Sequence, residues 1–458
     1  MSDSLLHIKP DIPAELDPDF YPAVQANRNY QRAARADGGS TAVTMAIERP
    51  DGCVKAVSLD IFQPPSPHDA DTSVYLEKYV KNLLWTYGGS VLYLCGPEQI
   101  CTPLKESFSA AGGRAYDAGR MEIVYDQPFE VRIVPESDLP APHETELKIG
   151  GNLDGCRIGF DLGASDYKLA AVIDGKPVFN TEIPWHPWVE TDPSYHYKHI
   201  NEGLRLAARH MPRVDAIGGS AAGAYVNNQV KYASLFHSVP KPRFDERVRP
   251  LFLDLGKEWN VPFEVLNDGA VTALAGGMSL KKKSFLGIAM GSSEATGYIN
   301  HHGLFTGDYT ALAYVPVDYN PDAAVDIPSQ DIGCGALYFS QQAVNRLAPR
   351  VGFSFPEDMH LRERLKMVQE KADGGDEGAC KVFSTIGVYL GYTLAFYHEL
   401  IPFENVLVLG RVSSGRGGEI IMRKTEEVLK SSFPELAEGV SLFVPDEESR
   451  RVGQAVAA

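Results

Sequence analysis

Apolar residues along the chain occur either in short runs, which predict strands, or at the i, i+3 and i+4 spacing of a helix. These two patterns predict most of its strands and helices. Two strands joined at a Pro-Asp-Gly turn are predicted in TAVTMAIERPDGCVKAVSLDIF, where Gly52 supplies the positive φ that such a turn needs. Apolar residues at helical spacing predict a helix in TSVYLEKYVKNLLWTYGG, which ends at a glycine pair. The region continues with a strand in SVLYLCG, a helix in PEQICTPLKESFSAAGG and a strand in EVRIV.

A segment dense in proline and charge, residues 135–151, predicts the first linker, and the order of elements starts again after it. The next predicted elements are the hairpin of CRIGFDLG and YKLAAVID, a strand in KPVFNTEIPW, a helix in NEGLRLAARHM and strands in VDAIGGSAAG and PFEVLN. The second half repeats this plan with KSFLGIAMGSS, EATGYINHHGLF, a long helix through TIGVYLGYTLAFYHELIPF, the strand NVLVLG and a closing helix. Strands that alternate with helices predict an α/β fold with mixed sheets.

These patterns also divide the chain. Residues 1–40 have no sustained period and predict an N-terminal arm, and residues 41–150 predict an additional α/β domain. The hairpin and SVLYLCG strand of that domain loosely echo later elements of the chain. A substrate cap, an oligomer contact and a regulatory role all stay open for it.

Composition and charge narrow the classes of partner. The chain has 458 residues and a net charge of −17, and its compact basic run is Lys281-Lys282-Lys283, so we expect no nucleic-acid partner. No stretch approaches the roughly 18 uninterrupted apolar residues of a membrane span, and the N-terminus has no signal pattern. We therefore expect a cytoplasmic protein without a membrane partner. Its six cysteines form no C-x-x-C pair and are expected to be buried thiols.

Three predicted strands end in corners of small residues, where backbone N–H groups can approach a phosphate. The corners are CRIGFDLGAS, KSFLGIAMGSSEATG and ENVLVLGRVSSG. A tight turn explains any one of them by itself. Asp161 in the first corner favours a function, because a carboxylate at the end of a buried strand is costly unless it is paired or faces a cation such as Mg²⁺.

A fourth corner lies in VPFEVLNDGAVTALAGG. Asn267 and Asp268 follow a strand and Gly269 opens a helix, so both polar side chains are expected at the carboxyl edge of a sheet, where α/β proteins bind ligands. Two interpretations of Asp268 stay open. It is either the N-cap of the helix or a general base that accepts the proton of an attacking hydroxyl.

In this order, the four corners resemble the actin-like ATPase fold that sugar kinases share, and most closely the ROK group of sugar kinases and regulators. The resemblance covers about residues 156–458. It implies an α/β, two-lobed actin-like ATPase (ribonuclease H-like) fold with a cleft between the lobes. Residues 151–280 would form lobe 1 and residues 281–458 lobe 2, with the additional N-terminal α/β domain before them.

The resemblance also implies an activity and the residues that carry it. ATP with Mg²⁺ would transfer its γ-phosphate to a sugar hydroxyl, and a homo-oligomer stays open. Asp161, Gly163 and Ser165 match the first phosphate motif, in which Asp161 would orient Mg²⁺ through water. Asn267 and Asp268 match the pair that holds the sugar, with Asp268 as general base. The remaining matches, in the second phosphate loop and then the adenosine loop, are Gly291, Ser292, Ser293, Gly410, Ser413 and Ser414.

The sequence departs from the family pattern at several positions. Glu294 would bring negative charge to the second phosphate loop, and Arg411 stands where the adenosine loop usually has a second glycine. The family's E-x-G-H segment falls near TALAYVPVD, which has neither its Glu nor its His, and the zinc cysteines are reduced to Cys334, so zinc is not expected. Two alternatives therefore stay open. One is a catalytically silent sugar-binding sensor or regulator, and the other is an actin-like kinase that acts on a non-hexose acceptor.

The segment WHPWVETDPSYHYKHI holds a second group of candidate residues. His186, His196 and His199 have the chemistry of metal ligands, but a surface loop that leads into a helix is the expected explanation. Trp185 or Trp188 could stack on a sugar ring as part of an insertion over the substrate.

Overall fold

The computed structural model describes residues 4–150, 152–163 and 166–444. The chain divides into two compact units. The first holds the described residues of Met1–Thr145, Ala289–Ala295 and Gly307–Val444, and the second holds those of Glu146–Ile288 and Thr296–Thr306. The four-part division expected from the sequence stays a prediction.

The N-terminal part of the first unit is an α/β layer. Its sheet has the strand order β2–β1–β3–β4, in which β1 is antiparallel to both neighbours and β4 is parallel to β3. Gly52 has a φ of 83° in the predicted turn between β1 and β2. The elements are α1 (Ala23–Ala36), β1 (Ser40–Glu48), β2 (Val54–Phe62), α2 (Asp69–Tyr87), β3 (Val91–Cys95), α3 (Glu98–Ser107), α4 (Ala115–Tyr125) and β4 (Glu130–Ile133).

Helix α1 lies where the sequence pattern predicts a loosely packed arm, so that expectation is wrong for this segment. Ala23, Ala26, Tyr30 and Ala34 on the helix are fully or almost fully buried. A usable signal for this helix existed, because Ala23, Ala26, Tyr30 and Ala34 recur at helical spacing with polar residues between them. The N-terminal residues before it are also part of the packed unit, since Phe20 has no exposed surface.

The second unit is built on a five-stranded sheet with the order β11–β8–β5–β6–β7. Strands β5, β6 and β7 form an antiparallel meander, and β8 and β11 run parallel to β5. The carboxyl ends of β5, β8 and β11 therefore share one edge. The elements are β5 (Cys156–Leu162), β6 (Asp166–Ile173), β7 (Lys176–Pro184), α5 (Pro193–Ala208), β8 (Ala216–Ala221), β9 (Ala224–Val226), β10 (Gln229–Tyr232), α6 (Lys241–Arg243), α7 (Leu251–Trp259), β11 (Phe263–Asn267) and α8 (Asp268–Leu280).

The core of the second unit fixes the orientation of β5. Ile158, Phe160 and Leu162 alternate along the strand into one buried cluster, which also includes Phe252 and Phe263. Phe160 and Phe252 stack with ring centroids 6.1 Å apart. Because side chains alternate along a strand, Asp161 lies on the opposite face of β5 from this cluster.

The remaining elements carry a further four-stranded sheet, with the order β13–β12–β14–β15. The end of β12 and the start of β13, Ala289–Ala295, are grouped with the first unit. The elements are β12 (Phe285–Met290), β13 (Glu294–Ile299), α9 (Gln341–Leu347), α10 (Leu361–Asp373), α11 (Glu377–Leu400), β14 (Asn405–Leu409), α12 (Gly415–Ser432), α13 (Pro434–Gly439) and β15 (Ser441–Phe443). Short 3-10 and π turns occur at Glu136–Asp138, Pro187–Val189, Ser234–Phe236, Phe244–Val248, Leu312–Tyr314, Gly335–Leu337 and Ala348–Val351.

Helix α11 is the core helix of the first unit. Within the part of the chain that the structure describes, it is the one helix long and apolar enough to cross a membrane, but 83% of its apolar window is buried inside the protein. Gly391 lets α12 approach closely, because a Cβ at this position would lie 2.5 Å from Val428 Cβ. The apolar composition of α11 is thus explained by packing.

Candidate functional site

Asp161 is the penultimate residue of β5, at the carboxyl edge of the second unit's sheet. The antiparallel register places it opposite Lys168 of β6, with 3.8 Å between Oδ2 and Nζ. The parallel register places Ser220 of β8 on its other side, and the serine side chain hydrogen-bonds the carboxylate. Burial raises the pKa of Asp161, while Lys168 and Ser220 lower it in part. Its side chain is still 30% exposed, so its oxygens can accept hydrogen bonds from water bound to a metal ion.

Gly163 follows β5 and begins the turn of the β5–β6 hairpin. Its N–H donates to the carbonyl of Asp166, with 3.0 Å between N and O. A Cβ at Gly163 would lie 2.7 Å from the same oxygen, so a larger residue would force this turn apart. The carbonyl of Gly163 accepts a hydrogen bond from Trp185 Nε1 at 2.8 Å. Ser165, the third predicted residue of this motif, lies outside the described residues.

Asn267 and Asp268 join β11 to α8 at the same edge of the sheet. Asn267 is the N-cap of α8, because its Oδ1 accepts from Gly269 N at 2.8 Å. Its Nδ2 donates to the carbonyl of Gly223 at 2.8 Å, so both polar atoms of the side chain are anchored. Asp268 is the first residue of the helix. The interpretation of Asp268 as the N-cap is therefore wrong, because Asn267 has that role.

The carboxyl group of Asp268 has an altered acidity. Burial raises its pKa to about 6, and the negative charge of Asp161 contributes in the same direction. The N–H of Gly269 donates to Oδ1 at 3.1 Å and opposes the shift. A nearby second carboxylate and burial are the two causes that place carboxyl groups near the pKa of a useful general base.

The start of α8 packs backbone to backbone against β13. A Cβ at Gly269 would lie 2.3 Å from the carbonyl oxygen of Thr296, and one at Gly297 would lie 2.3 Å from the carbonyl oxygen of Gly269. Only glycine allows this approach at either position. The glycines fix the distance between the Asn267-Asp268 corner and the strand.

The predicted second phosphate loop, Gly291, Ser292 and Ser293, joins β12 to β13 in the first unit. The N–H of Gly291 donates to Ser293 O at 3.0 Å, and its carbonyl accepts from Gln341 N at 2.9 Å. The nearest atom to a Cβ at Gly291 would be Ser293 O at 3.6 Å, so the described structure leaves open space beside this residue.

Glu294 directly follows this loop, but its side chain is buried and 5% exposed. Tyr397 OH donates to its Oε1 at 3.3 Å, and the missing side chain of Gly335 makes room for Oε2, because a Cβ there would lie only 2.4 Å away. Burial raises the pKa of Glu294 to about 8. The expectation of a negative charge at this position is therefore wrong, since the group is mainly protonated at pH 7.

The predicted adenosine loop follows β14 in the first unit and lies against the end of β12. Gly410 has a φ of 110°, and a Cβ there would lie 2.4 Å from the carbonyl oxygen of Met290. Ser413 Oγ donates to Gly410 O at 3.3 Å, and Ser414 Oγ donates to Arg411 O at 2.7 Å. The first unit thus brings its two predicted nucleotide loops next to one another, as the second unit does for Asp161 and Asp268.

Among the histidines of residues 185–200, His196 is part of the packed interior. His196 is fully buried, and its Nε2 lies 3.2 Å from Pro187 O and 3.1 Å from Leu235 O. Burial lowers the pKa of His196. Trp185 is buried as well, which rules out its predicted stacking on a sugar, whereas Trp188 is exposed and stacks on His237.

Among the described residues, no group of three or more His, Cys, Asp or Glu side chains is arranged to hold a metal ion. Cys334 is buried, with its Sγ 3.7 Å from Lys81 Nζ. Asp161 could contribute a single carboxylate to a Mg²⁺ ion that a nucleotide brings with it.

Sequence reasoning missed Lys168 at this site, and it gave Trp185 a stacking role in place of the hydrogen bond to Gly163. A usable signal existed for Lys168, because positions 161 and 168 are equidistant from the turn of the predicted hairpin and therefore face one another. No local pattern marks Trp185 as a neighbour of Gly163, since the contact depends on how the chain returns after β7.

Comparisons with known proteins bear on the fold. No model of a protein family matches the sequence. A glucokinase from Halalkalibacterium halodurans is 24% identical in an alignment of length 306, and the match covers 63% of this chain and 89% of the glucokinase. The structure of a ROK family transcriptional regulator, a homologue of the E. coli MLC protein, superposes with a TM-score of 0.54 at 20% identity and covers 67% of this chain and 78% of its own. The chain has the fold of the ROK proteins.

A second solved structure of this fold is a ROK hexokinase from Thermus thermophilus. Its TM-score is 0.52 at 17% identity, and the match covers 66% of this chain and 97% of the hexokinase. The actin-like α/β fold expected from the order of the four corners is thus confirmed. ROK-fold relatives include both sugar kinases and a regulator, so the fold is common to a catalytic and a regulatory class.

Proposed function

We propose that the protein is an ATP-dependent phosphotransferase that phosphorylates a sugar hydroxyl, with Asp268 as its general base. The observation that carries this proposal is the state of Asp268. It is a partly buried carboxyl group at the carboxyl edge of a sheet, its pKa is raised to about 6, and helix capping is done by its neighbour Asn267.

The chemistry follows from this acidity. A carboxyl group with a pKa near 6 is mainly ionised at pH 7 and is still basic enough to accept a proton as it leaves a hydroxyl. The hydroxyl oxygen attacks the γ-phosphorus of ATP in line, the bond to the bridging oxygen breaks and ADP departs. Asn267 would hold the sugar with the second N–H of its anchored amide.

The surroundings of Asp161 suit a bound magnesium nucleotide. Asp161 would hold Mg²⁺ through water, and the ion would neutralise phosphate charge when it is bound. Lys168 lies 3.8 Å from Asp161 and is 42% exposed, so its ammonium group is available to a phosphate oxygen as well. The protein's contribution would be mainly position and electrostatics.

The first unit supplies further support. Its predicted phosphate loop and adenosine loop are adjacent. Glu294, whose negative charge would repel phosphates, is buried and mainly uncharged at neutral pH. On the resemblance, we assign nucleotide contacts to these two loops and to the first phosphate motif. The residues are Gly163, Ser165, Gly291, Ser292, Ser293, Gly410, Ser413 and Ser414. We also propose that the protein is cytoplasmic and has neither a membrane nor a nucleic-acid partner; the net charge of −17 supports the last of these, because nucleic-acid binding needs clustered basic residues.

A second candidate function is a catalytically silent sugar-binding regulator. The match to a ROK transcriptional regulator and the absence of Glu and His in TALAYVPVD favour it. The same absence would also suit a kinase whose acceptor is a polyol or a carboxylate instead of a hexose.

One experiment separates these functions. The melting temperature of the purified protein is measured with Mg·ATP, with a panel of hexoses, polyols and hydroxy acids, and with both together, and each stabilising compound is then tested for phosphate transfer. A kinase is stabilised by Mg·ATP and transfers phosphate to one stabilising acceptor. A shift with a sugar but none with millimolar Mg·ATP would overturn the kinase proposal in favour of the regulator.

A further inference from the structure

Trp185 makes a specific contact with the first phosphate loop. It follows β7 directly, and its side chain is 1% exposed. Its indole Nε1–H donates to the carbonyl of Gly163, with 2.8 Å between N and O. An indole has one donor and no acceptor, so this bond satisfies the whole polar capacity of the ring.

The ring itself is held by its neighbours. Tyr167 packs against it edge to face, with centroids 5.1 Å apart, and Tyr167 OH donates to His199 O at 2.8 Å. The chain just after Trp185 is tied to α5 by His196, whose Nε2 lies 3.2 Å from Pro187 O. The indole therefore has little freedom to leave Gly163.

The peptide group of Gly163 is fixed from both sides. Its N–H donates to Asp166 O across the hairpin, and its carbonyl accepts from Trp185. The two bonds determine where the backbone after Asp161 runs. A backbone that receives a phosphate must be held in place before the nucleotide arrives, because phosphoryl transfer depends on positioning.

We propose that Trp185 is a positioning residue for phosphoryl transfer, which holds the Gly163 peptide of the first phosphate loop for the nucleotide. The inference rests on the proposed kinase function. It differs from the stacking role that the sequence predicted for a tryptophan here, because the ring acts through its N–H on the protein backbone.

The test replaces the N–H donor and keeps an aromatic ring. Trp185→Phe leaves the Gly163 carbonyl without its donor and should lower kcat/KM for Mg·ATP about tenfold, the effect of one hydrogen bond, while KM for the acceptor stays within about twofold. Trp259→Phe is the matched control, because Trp259 Nε1 donates to Asn201 Oδ1 at 2.9 Å in the same unit. The control should leave both kinetic parameters unchanged.

A second variant covers the case in which Trp185→Phe fails to fold. Benzothienylalanine at position 185 keeps the shape of the ring and replaces its N–H with sulfur, and it should give the same loss. Hydrogen exchange at the Gly163 amide, followed by mass spectrometry, should become faster in the Trp185 variants and stay unchanged in Trp259→Phe.

The outcomes separate this inference from the kinase proposal. If the wild-type protein transfers no phosphate to any acceptor, the proposed function fails. The positioning role of Trp185 in phosphoryl transfer then fails as well, even if faster exchange at Gly163 in the variants shows that Trp185 holds this peptide. If the wild-type protein is active and the Trp185 variants keep kcat/KM for Mg·ATP within twofold, the kinase stands and Trp185 has no positioning role. An equal rise in KM for acceptor and nucleotide would likewise overturn the inference.

Discussion

Asp268 and Glu294 are both acids whose pKa is raised chiefly by burial, yet the consequences differ. Asp268 has a pKa of about 6 and is mainly ionised at pH 7, which suits a base. Glu294 has a pKa of about 8 and is mainly neutral, which removes a charge from the end of the second phosphate loop. The sequence marks both residues as acids, but the charge of each depends on residues far along the chain, Asp161 for Asp268 and Tyr397 and Gly335 for Glu294.

Asp268 makes the reaction dependent on pH. The base must be unprotonated, so kcat/KM for the acceptor should be constant at neutral pH and fall tenfold per pH unit as the pH drops below about 6. The profile is measured between pH 5 and pH 8.5, with melting temperature followed in parallel to exclude unfolding. A plateau that continues down to pH 5 would mean that Asp268 is not the base.

Glu294 makes the free energy of unfolding fall as the pH rises, whereas an ion-paired acid makes it rise. Its pKa is raised in the folded state, so the folded protein holds the proton more tightly and loses stability as the pH rises from about 4.5 towards 8. Glu294→Gln removes this loss and should raise the melting temperature at pH 8 but not at pH 4.5. A variant with the same difference from wild type at both values would contradict the assigned burial of the charge.

At the scale of elements, the sequence predicted the strands best. The β5–β6 hairpin and the corner between β11 and α8 lie where apolar runs end in polar and small residues, because both signals are local. Helices α1 and α4 were missed for different reasons. The buried residues of α1 recur at helical spacing, but half of them are alanines, whose small side chains are easily overlooked. The buried face of α4 includes Asp117, whose carboxylate accepts from Trp85 Nε1 at 2.7 Å.

The glycine corners should respond differently to substitution. Gly269→Ala drives a Cβ into the backbone of Thr296 at 2.3 Å and should cost about 1–3 kcal/mol of unfolding free energy. Gly291→Ala meets its nearest atom at 3.6 Å, so it should fold with normal stability and raise KM for Mg·ATP, because the new methyl group stands beside a proposed phosphate loop.

Chemical denaturation and steady-state kinetics of the two variants measure these effects. Full stability of Gly269→Ala would show that α8 can move away from β13. An unchanged KM for Mg·ATP in Gly291→Ala would remove Gly291 from the nucleotide site.

At the scale of the whole molecule, the N-terminal residues are an integral part of the first unit. Asp17 is bound to Arg346 at 2.6 Å and also contacts Tyr389, far along the chain. Burial raises the pKa of Asp17, but the charge of Arg346 and the hydrogen bonds from Arg346 and Tyr389 lower it by more, so the pKa lies below the usual value. Tyr21 N donates to Asp318 Oδ1 at 2.9 Å, which adds a second tie to the rest of the unit.

The Asp17 network predicts a large effect of a single substitution. Asp17→Ala leaves the buried Arg346 guanidinium without its carboxylate and should cost about 3–5 kcal/mol of unfolding free energy. Asp19→Ala is the matched control, because Asp19 pairs with Lys9 at 3.3 Å on the exposed surface, where ion pairs contribute little. Equal melting temperatures for the two variants would show that the N-terminal residues do not stabilise the unit.

The most direct test of the proposed function is the turnover of Asp268→Asn, with Glu264→Gln as control. Glu264 lies on β11, the strand that leads into this corner, and burial also raises its pKa, but its carboxylate accepts a hydrogen bond from Asn228 Nδ2 at 3.1 Å. We predict that Asp268→Asn keeps its melting temperature and its stabilisation by Mg·ATP while kcat falls about 10²- to 10⁴-fold, and that Glu264→Gln stays at the wild-type rate. Turnover of Asp268→Asn within tenfold of wild type would contradict the assignment of Asp268 as the base.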